Sequence, residues 1–206
     1  MRLNELLAAA GLAPLDTVQL GRFEVYISLF VRWNTRVNLT AIRDEEGILS
    51  RHFVESIACA RALPGGISTL LDFGSGGGFP GVPVALCRPE IAVTLAESQG
   101  KKAAFLQESV RVLGISAKVH AQRAEWLGER FDCVVMRAVE KMAKAVDVAS
   151  RLVETGGWLA LMTTRSELGK LQNAAGEEFS WSDSIPLPGS DDRLLALGQR
   201  RISVSA

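Results

Sequence analysis

The sequence predicts an α/β protein in which a mostly parallel sheet follows a helical extension at the N-terminus. Three observations carry this expectation. The first 63 residues hold helix-period apolar patterns, short apolar runs alternate with helical stretches from Thr69 onward, and a glycine-rich turn follows the first run. Strands alternating with helices imply parallel neighbours joined by right-handed crossovers. The boundary is expected at Pro64-Gly65-Gly66, giving a helical extension over residues 1–66 and a sheet domain over residues 67–206, packed as one unit.

Leu3, Leu6 and Leu7 share one face of a first helix, and Leu20, Phe23, Ile27, Phe30 and Val31 recur at helical spacing in a second. A third helix is expected over residues 45–63, closed by the Pro-Gly-Gly run. Strands follow at Thr69–Phe73, Ala92–Ala96, 117–121, 133–136 and 158–162, with helices at 101–113 and 142–153 between them. The tail reads as a closing antiparallel pair, 179–186 with 194–196, about the turn-rich Pro188-Gly189-Ser190-Asp191.

A length of 206 residues suits one cored domain with a modest appendage. The 23 basic and 23 acidic residues cancel, so no overall charge announces a nucleic-acid partner and any RNA contact must be local. Cys59, Cys87 and Cys133 are odd in number and far apart, which excludes a disulfide framework and a CxxC metal pair. A reducing cytoplasm and no metal are expected. No apolar run reaches the roughly 20 residues that span a bilayer. Asn4 and Glu5 stand where a signal peptide carries a basic patch and an apolar core, so a soluble, unexported protein without a membrane partner is expected.

The chemistry concentrates in Leu70-Leu71-Asp72-Phe73-Gly74-Ser75-Gly76-Gly77-Gly78-Phe79-Pro80-Gly81, between a strand and a helix whose first turn tolerates Pro80. Gly76, Gly78 and Gly81 satisfy GxGxxG, where the missing Cβ lets backbone approach a ligand. The pattern alone serves a dinucleotide as well as S-adenosylmethionine, or a tight turn with no ligand. Asp72 tilts the balance: it suits the ammonium of a methionine moiety, directly or through water, and repels a pyrophosphate. Glu97 ends the next strand 23 residues after Gly74, where a carboxylate accepts from ribose hydroxyls of either nucleotide.

Around this loop stand Asn38-Leu39-Thr40, Arg51-His52 with Glu55-Ser56, Glu97-Ser98, Gly100-Lys101-Lys102, Arg123-Ala124-Glu125 and Arg137-Ala138. In order and spacing, between about Trp33 and Ala138, they resemble the motifs of the bacterial 16S ribosomal RNA (guanine-N7) methyltransferase G family, also called GidB. The resemblance implies a class I S-adenosylmethionine-dependent methyltransferase fold, a mostly parallel Rossmann-like sheet with an antiparallel last strand, behind an N-terminal helical extension. It implies methylation of guanine N7 in the 530 loop of 16S ribosomal RNA, with the small ribosomal subunit as partner. It places S-adenosyl-L-methionine near Gly74, Phe79, Glu97, Ala124, Glu125 and Arg137, and the loop reading adds Asp72, Gly76 and Gly78.

Guanine N7 carries an in-plane lone pair, so its methylation removes no proton and needs no general base. Alignment is then the main contribution, worth up to about 7–11 kcal/mol in favourable cases. No catalytic residue is assigned, and Asn38, Arg51, His52 and Glu55 are the positioning candidates. The chain lacks the Asn/Asp-Pro-Pro-aromatic tetrad of amine methylation and carries Met136-Arg137-Ala138-Val139 at that place. Cys133 reads as core. Arg137 ends a strand, where it suits a cofactor carboxylate, a phosphate or a salt bridge. Glu55 lies at helical spacing from both Arg51 and His52, either for function or as a staple. Asn34 and Asn38 suit capping or substrate contact, and Lys101 and Lys102 phosphates or solvent.

Against the family pattern, Met162-Thr163-Thr164 replaces a Lys-Gly pair, Met136 replaces a serine and Glu55 a shorter acid. The cofactor motifs remain whole while the polar side of the substrate pocket thins. Arg165 or Lys170 are the nearby replacements for the lost charge. Arg32, Arg36, Arg43, Arg51, Lys101 and Arg137 are candidate phosphate contacts, and if they converge on one face binding should weaken steeply with salt. The competing readings are a diverged methyltransferase on another RNA or a small molecule, a non-catalytic cofactor-binding assembly factor and, from the loop alone, a dehydrogenase.

Overall fold

The computed structural model describes residues 2–202. The extension consists of α1 (Arg2–Ala9), α2 (Thr17–Val37), α3 (Glu45–Ile48), a π-helical stretch (Leu49–Val54) and α4 (Glu55–Ala62). The sheet domain follows as β1 (Thr69–Phe73), α5 (Gly81–Cys87), β2 (Ala92–Ala96), α6 (Gly100–Leu113), β3 (Ala117–His120), a 3-10 turn (Ala124–Trp126), β4 (Phe131–Arg137), α7 (Met142–Arg151), β5 (Val153–Thr164), α8 (Arg165–Ala175), β6 (Phe179–Trp181), β7 (Ile185–Pro186) and β8 (Arg193–Arg200). Strand order is β3-β2-β1-β4-β5-β8-β6, with β7 also on β8. The first five strands run parallel, and β8 is antiparallel to β5, β6 and β7. The chain winds outward from β1 to β3, then returns to β4 on the other side of β1. That reversal opens a crevice at the carboxyl ends of the strands.

Both sheet faces are covered, which is why β1 reads as a continuous apolar run. Leu70 faces a core built with the extension, α5 and α6, while Leu71 faces a second core under α7 and α8. In the first core Phe23, Tyr26 and Phe30 of α2 meet Phe53, Phe79 and Phe105. Phe79, from the glycine-rich loop, lies 5.5, 5.2 and 5.0 Å from the rings of Tyr26, Phe30 and Phe53. No helix among the described residues is long and apolar enough to cross a membrane.

Several elements differ from expectation for local reasons. The helix expected over 45–63 passes through a π-helical stretch, where the Glu55 amide reaches back to the Ser50 carbonyl. Val31 is 44% exposed, so the second helix buries Phe30 and leaves its neighbour in solvent. The helix expected over 142–153 stops at Arg151, because Val153 already belongs to a twelve-residue β5. In the fold Gly156 has φ +80° inside β5, and the β4–β5 register shifts between Phe131 and Cys133. The tail segment 179–186 splits into two short strands, and β8 extends past 194–196 to pair along β5. Pro80 caps α5 from just outside the helix, after a cis Phe79–Pro80 peptide.

The loop is held from both sides. Tyr26 Oη donates to the Gly77 carbonyl at 2.6 Å, and Asp72 Oδ2 accepts from the Gly81 amide at 2.9 Å. A Cβ at Gly81 would collide with Leu95 and Asp72, so Gly81→Ala should cost about 1–3 kcal/mol in denaturant unfolding. Gly100→Ala, in open space at the start of α6, should stabilise by about 0.4–1 kcal/mol.

Asp72 is 1% exposed, and burial raises its pKa from 3.8 to about 7 against the hydrogen bonds from Gly81 and Ser75. The folded state thus keeps a proton that the unfolded chain releases, so this group's stabilisation is complete below pH 3.8 and is lost as pH rises to about 7. Across that window Asp72→Asn should gain stability over the parent, on the order of 2–4 kcal/mol, and hold the gain above it. Parallel unfolding curves between pH 4 and 8 read the slope; a difference that is flat with pH would refute it.

Candidate functional site

Two joined clefts form a groove over the carboxyl ends of β2, β1 and β4. One, of about 380 Å³, is lined by His52, Gly74, Gly76, Phe79, Lys102 and Arg137. The other, of about 480 Å³, is lined by Phe73, Ala96, Gln122, Ala124, Glu125 and Lys144. Gly74, Glu97, Ser98, Val139 and Glu140 line both, which makes the groove continuous. Its length and walls suit a nucleoside with a polar tail.

The backbone explains why glycine occupies its floor. Gly74, Gly76 and Gly78 have φ of +76°, +56° and +85°, the left-handed region that side chains disfavour. The amides of Gly74 and Ser75 donate to the Ala96 carbonyl at 3.0 and 2.9 Å, which ties the loop to the end of β2. Glu97, 7% exposed, accepts from the Gly76 amide at 3.0 Å through Oε2 and from the Gln99 amide at 2.7 Å through Oε1. Each oxygen keeps a second lone pair, so the carboxylate that closes the loop still has acceptor capacity for hydroxyls.

Two loop residues stand elsewhere than expected. Gly78 faces the helical layer, where a Cβ would meet Tyr26 Oη and Val82, and it lines neither cleft. Asp72 lies beneath the loop and also lines neither, so it offers no direct seat for an ammonium. Its Oδ1 is buried without a hydrogen-bond partner among the described residues, an acceptor available through water. Ala124 is buried and Glu125 exposed at the far end of the groove, with Glu125 3.4 Å from Arg123.

A third cavity, of about 360 Å³, sits beyond β4 over the ends of β4, β5 and β8. His52, Arg137 and Ala138 line both it and the 380 Å³ cleft, so one wall separates groove from cavity. The π-helical stretch supplies Arg51 and His52 to this wall. Glu55, 1% exposed, is its anchor: Oε1 lies 2.6 Å from Arg193 Nε and 3.5 Å from Arg51 Nε, and Oε2 lies 3.1 Å from Arg137 Nη2. Arg137 also donates to the Arg51 carbonyl. Three guanidiniums share one carboxylate, and Arg51 Nε and Arg137 Nη1 are buried without hydrogen-bond partners among the described residues. Burial lowers the Arg137 pKa while Glu55 opposes the shift. The cavity therefore has surplus positive charge and unused donors.

His52 is 4.9 Å from Phe79 in a stacked arrangement, and its Nε2 is 2.7 Å from Thr40 Oγ1. Burial first, then Arg137 and Arg51, lower its pKa to about 3, so the ring is neutral at physiological pH. Thr40 is placed in turn by its amide, which donates to Asn34 Oδ1 at 3.0 Å. Asn38, a positioning candidate in the sequence, is instead the exposed left-handed C-cap of α2, with Oδ1 accepting from Arg43 at 2.7 Å. It lines none of these three spaces. The short turn it makes with Arg43 satisfies its side chain locally.

The expected basic face is only partly assembled. Arg51 and Arg137 meet and Lys102 lines the groove, whereas Arg32, Arg36 and Arg43 are exposed outside it and Lys101 lines no part of it. The third cation is Arg193, which sequence reading passed over, rather than Arg165, bound to the Asp191 carbonyl, or Lys170, paired with Glu167. Its one signal is a charged residue opening the apolar run of β8. Met162 is 4% exposed and forms part of the cavity's apolar wall; Met136 is buried in the core. Cys133 is buried, its thiol pushed upward by burial, as a core residue should be. Among the described residues no group of three or more His, Cys, Asp or Glu is arranged to hold a metal ion.

Comparison with known proteins agrees with this geometry. The family described as rRNA small subunit methyltransferase G matches residues 19–184. Proteins named ribosomal RNA small subunit methyltransferase G include one from Roseiflexus sp. (strain RS-1), 45% identical over 150 residues, covering 69% of this chain and 64% of that one. Another, from Neisseria meningitidis serogroup B (strain ATCC BAA-335 / MC58), is 38% identical over 196 residues, 92% of each chain. Among solved structures, a predicted O-methyltransferase from Agrobacterium tumefaciens superposes with TM-score 0.61 at 20% identity, over 73% of this chain and 82% of that one. An S-adenosylmethionine-dependent O-methyltransferase from Thermotoga maritima gives 0.60 at 13% identity, over 86% and 73%. At such identities the structural matches establish the fold, that of the class I methyltransferases. With the sequence matches added to the motifs and the groove, the chain belongs to the rRNA small subunit methyltransferase G family.

Proposed function

We propose that this protein transfers a methyl group from S-adenosyl-L-methionine to N7 of a guanine in the 530 loop of 16S ribosomal RNA, acting on the small subunit in the cytoplasm. The observation that supports the proposal is the wall of His52, Arg137 and Ala138 shared by groove and cavity, which would leave a cofactor and an acceptor on either side of a few side chains.

In the groove, Glu97 would take the ribose hydroxyls, Ala124 and Glu125 the base, and Gly74, Gly76 and Phe79 the methionine side, with the ammonium reaching Asp72 Oδ1 through water. Bound there, the cofactor supplies an electrophilic methyl group on a sulfonium. The chain's own part is to hold N7 in line with it. Since the acceptor lone pair forms the new bond as the carbon–sulfur bond breaks, no proton leaves. A neutral, half-buried His52 is consistent with that chemistry: it packs and hydrogen-bonds without serving as a base. The surplus guanidinium charge around Glu55 suits RNA phosphate, which compensates locally for the chain's zero net charge.

The apolar lining of the cavity by Met142, Met162, Leu171 and Leu187 favours one competing acceptor, a small aromatic molecule. Tritiated methyl transfer to small subunits, free 16S RNA and nucleosides, followed by mapping, should place one label at N7 of a guanine in the subunit RNA. Label on free small molecules with none on subunits would select the competitor. Arg193→Gln should raise KM for subunits, reduce the dependence of log KM on log salt by about one phosphate contact, and leave cofactor affinity by calorimetry within about twofold.

A further inference from the structure

The cavity beyond the shared wall holds one acidic side chain whose partner is only an exposed lysine one turn along its own helix. Glu167 stands in the first turn of α8 and lines the same 360 Å³ space as Arg137 and Met162. Its partner is Lys170 at 3.5 Å, with the two side chains 51% and 66% exposed, an arrangement of little energetic weight. Among the described residues the only other carboxylate lining the cavity is Glu55, and both its oxygens are taken by guanidiniums. Glu167 is therefore the acidic group there that no guanidinium holds, and its exposed pairing of Oε2 with Lys170 is weak enough to be exchanged for a ligand.

Strand order sets the direction in which a base would be read. The groove lies over β2, β1 and β4, whereas the cavity continues over β5, where Arg137 is in register with Met162. A methyl group arriving from the groove comes past Arg137 and Ala138, so an acceptor N7 must face that wall. In guanine the N1–H and the 2-amino group lie on the opposite edge of the purine from N7. That edge then faces the end of β5 and the start of α8, at Thr163, Thr164 and Glu167. Two adjacent donors match the two oxygens of a carboxylate. Met142 and Met162 line the same cavity with polarizable thioethers, which make favourable contacts with aromatic rings.

Resting on the methyl-transfer reading above, we infer that Glu167 is the guanine-specificity residue, accepting hydrogen bonds from N1–H and the 2-amino group of the acceptor. Adenine has an equally open N7 but presents a bare N1 lone pair on that edge, which a carboxylate repels. The same contact assists the reaction. As the new N–C bond forms, positive charge passes from the sulfonium to the purine, and hydrogen bonds from that purine to the carboxylate strengthen as the charge develops. Discrimination and rate thus draw on one side chain.

Inosine, which is guanine without the 2-amino group, separates this role from a structural one. Small subunits are reconstituted on 16S RNA transcribed with a mixture of GTP and inosine triphosphate, methylated, digested and analysed by mass spectrometry for 7-methylguanosine and 7-methylinosine. The parent chain should prefer guanosine over inosine at the methylated position by on the order of tenfold. Glu167→Ala should bring the product ratio to the input ratio, Glu167→Gln should give an intermediate value, and Lys170→Ala should keep the parent ratio. Equal ratios for the parent and Glu167→Ala overturn the inference while leaving guanine methylation intact. Failure of the parent chain to form any 7-methylguanosine overturns the methyl-transfer reading beneath it.

Discussion

The site depends on the double fastening of the glycine-rich loop. From below, Asp72 at the end of β1 takes the Gly81 amide; from above, Tyr26 of the helical extension gives its hydroxyl to the Gly77 carbonyl. Burial, then the charge of Asp72, raises the Tyr26 pKa well above its ordinary value, so the hydroxyl stays protonated and remains a donor. Phe79 carries the fastening into the aromatic core, where each edge-on ring pair contributes about 0.5–1.5 kcal/mol beyond its buried area. The extension is thus the second half of the loop's mould. Three glycines in left-handed backbone would otherwise be a large entropic liability.

A second organising contact joins segments far apart in the chain. Glu55 follows the π-helical stretch, Arg137 ends β4 and Arg193 opens β8. A buried carboxylate among guanidiniums is weak as a source of net stability, because desolvation offsets much of the attraction. Its value is geometric. It fixes the heads of three long side chains along one wall and leaves Arg51 Nε and Arg137 Nη1 buried without hydrogen-bond partners among the described residues.

Much of this was legible from residues alone. The apolar runs place β1 and β2 to the residue, since strands buried on both faces advertise themselves by continuous hydrophobicity. Glu97 was visible as an acid ending a strand, although its first duty is to the Gly76 and Gln99 amides. What stayed hidden was non-local. Glu55 and Arg193 are 138 positions apart, and no spacing rule links them. At Asn38 a cap and a substrate contact call for the same side chain, and the structure gives it φ +53° at the end of α2 with a partner at Arg43. The first residues of β5 lay outside the apolar run read as a strand, because Glu154, Thr155, Gly156 and Gly157 carry no apolar side chain.

The wall between groove and cavity has two faces and one set of atoms. His52 stacks on the loop residue Phe79 on one side and lines the cavity on the other, and Arg137 lines both spaces while held by Glu55. A ligand that shifts either side chain changes the surface met by the ligand opposite. Occupancy of the two spaces is then linked, and by thermodynamic reciprocity the factor by which the first ligand alters the second is the factor by which the second alters the first. An affinity measured for one ligand alone describes a different wall from the one present when both spaces are full.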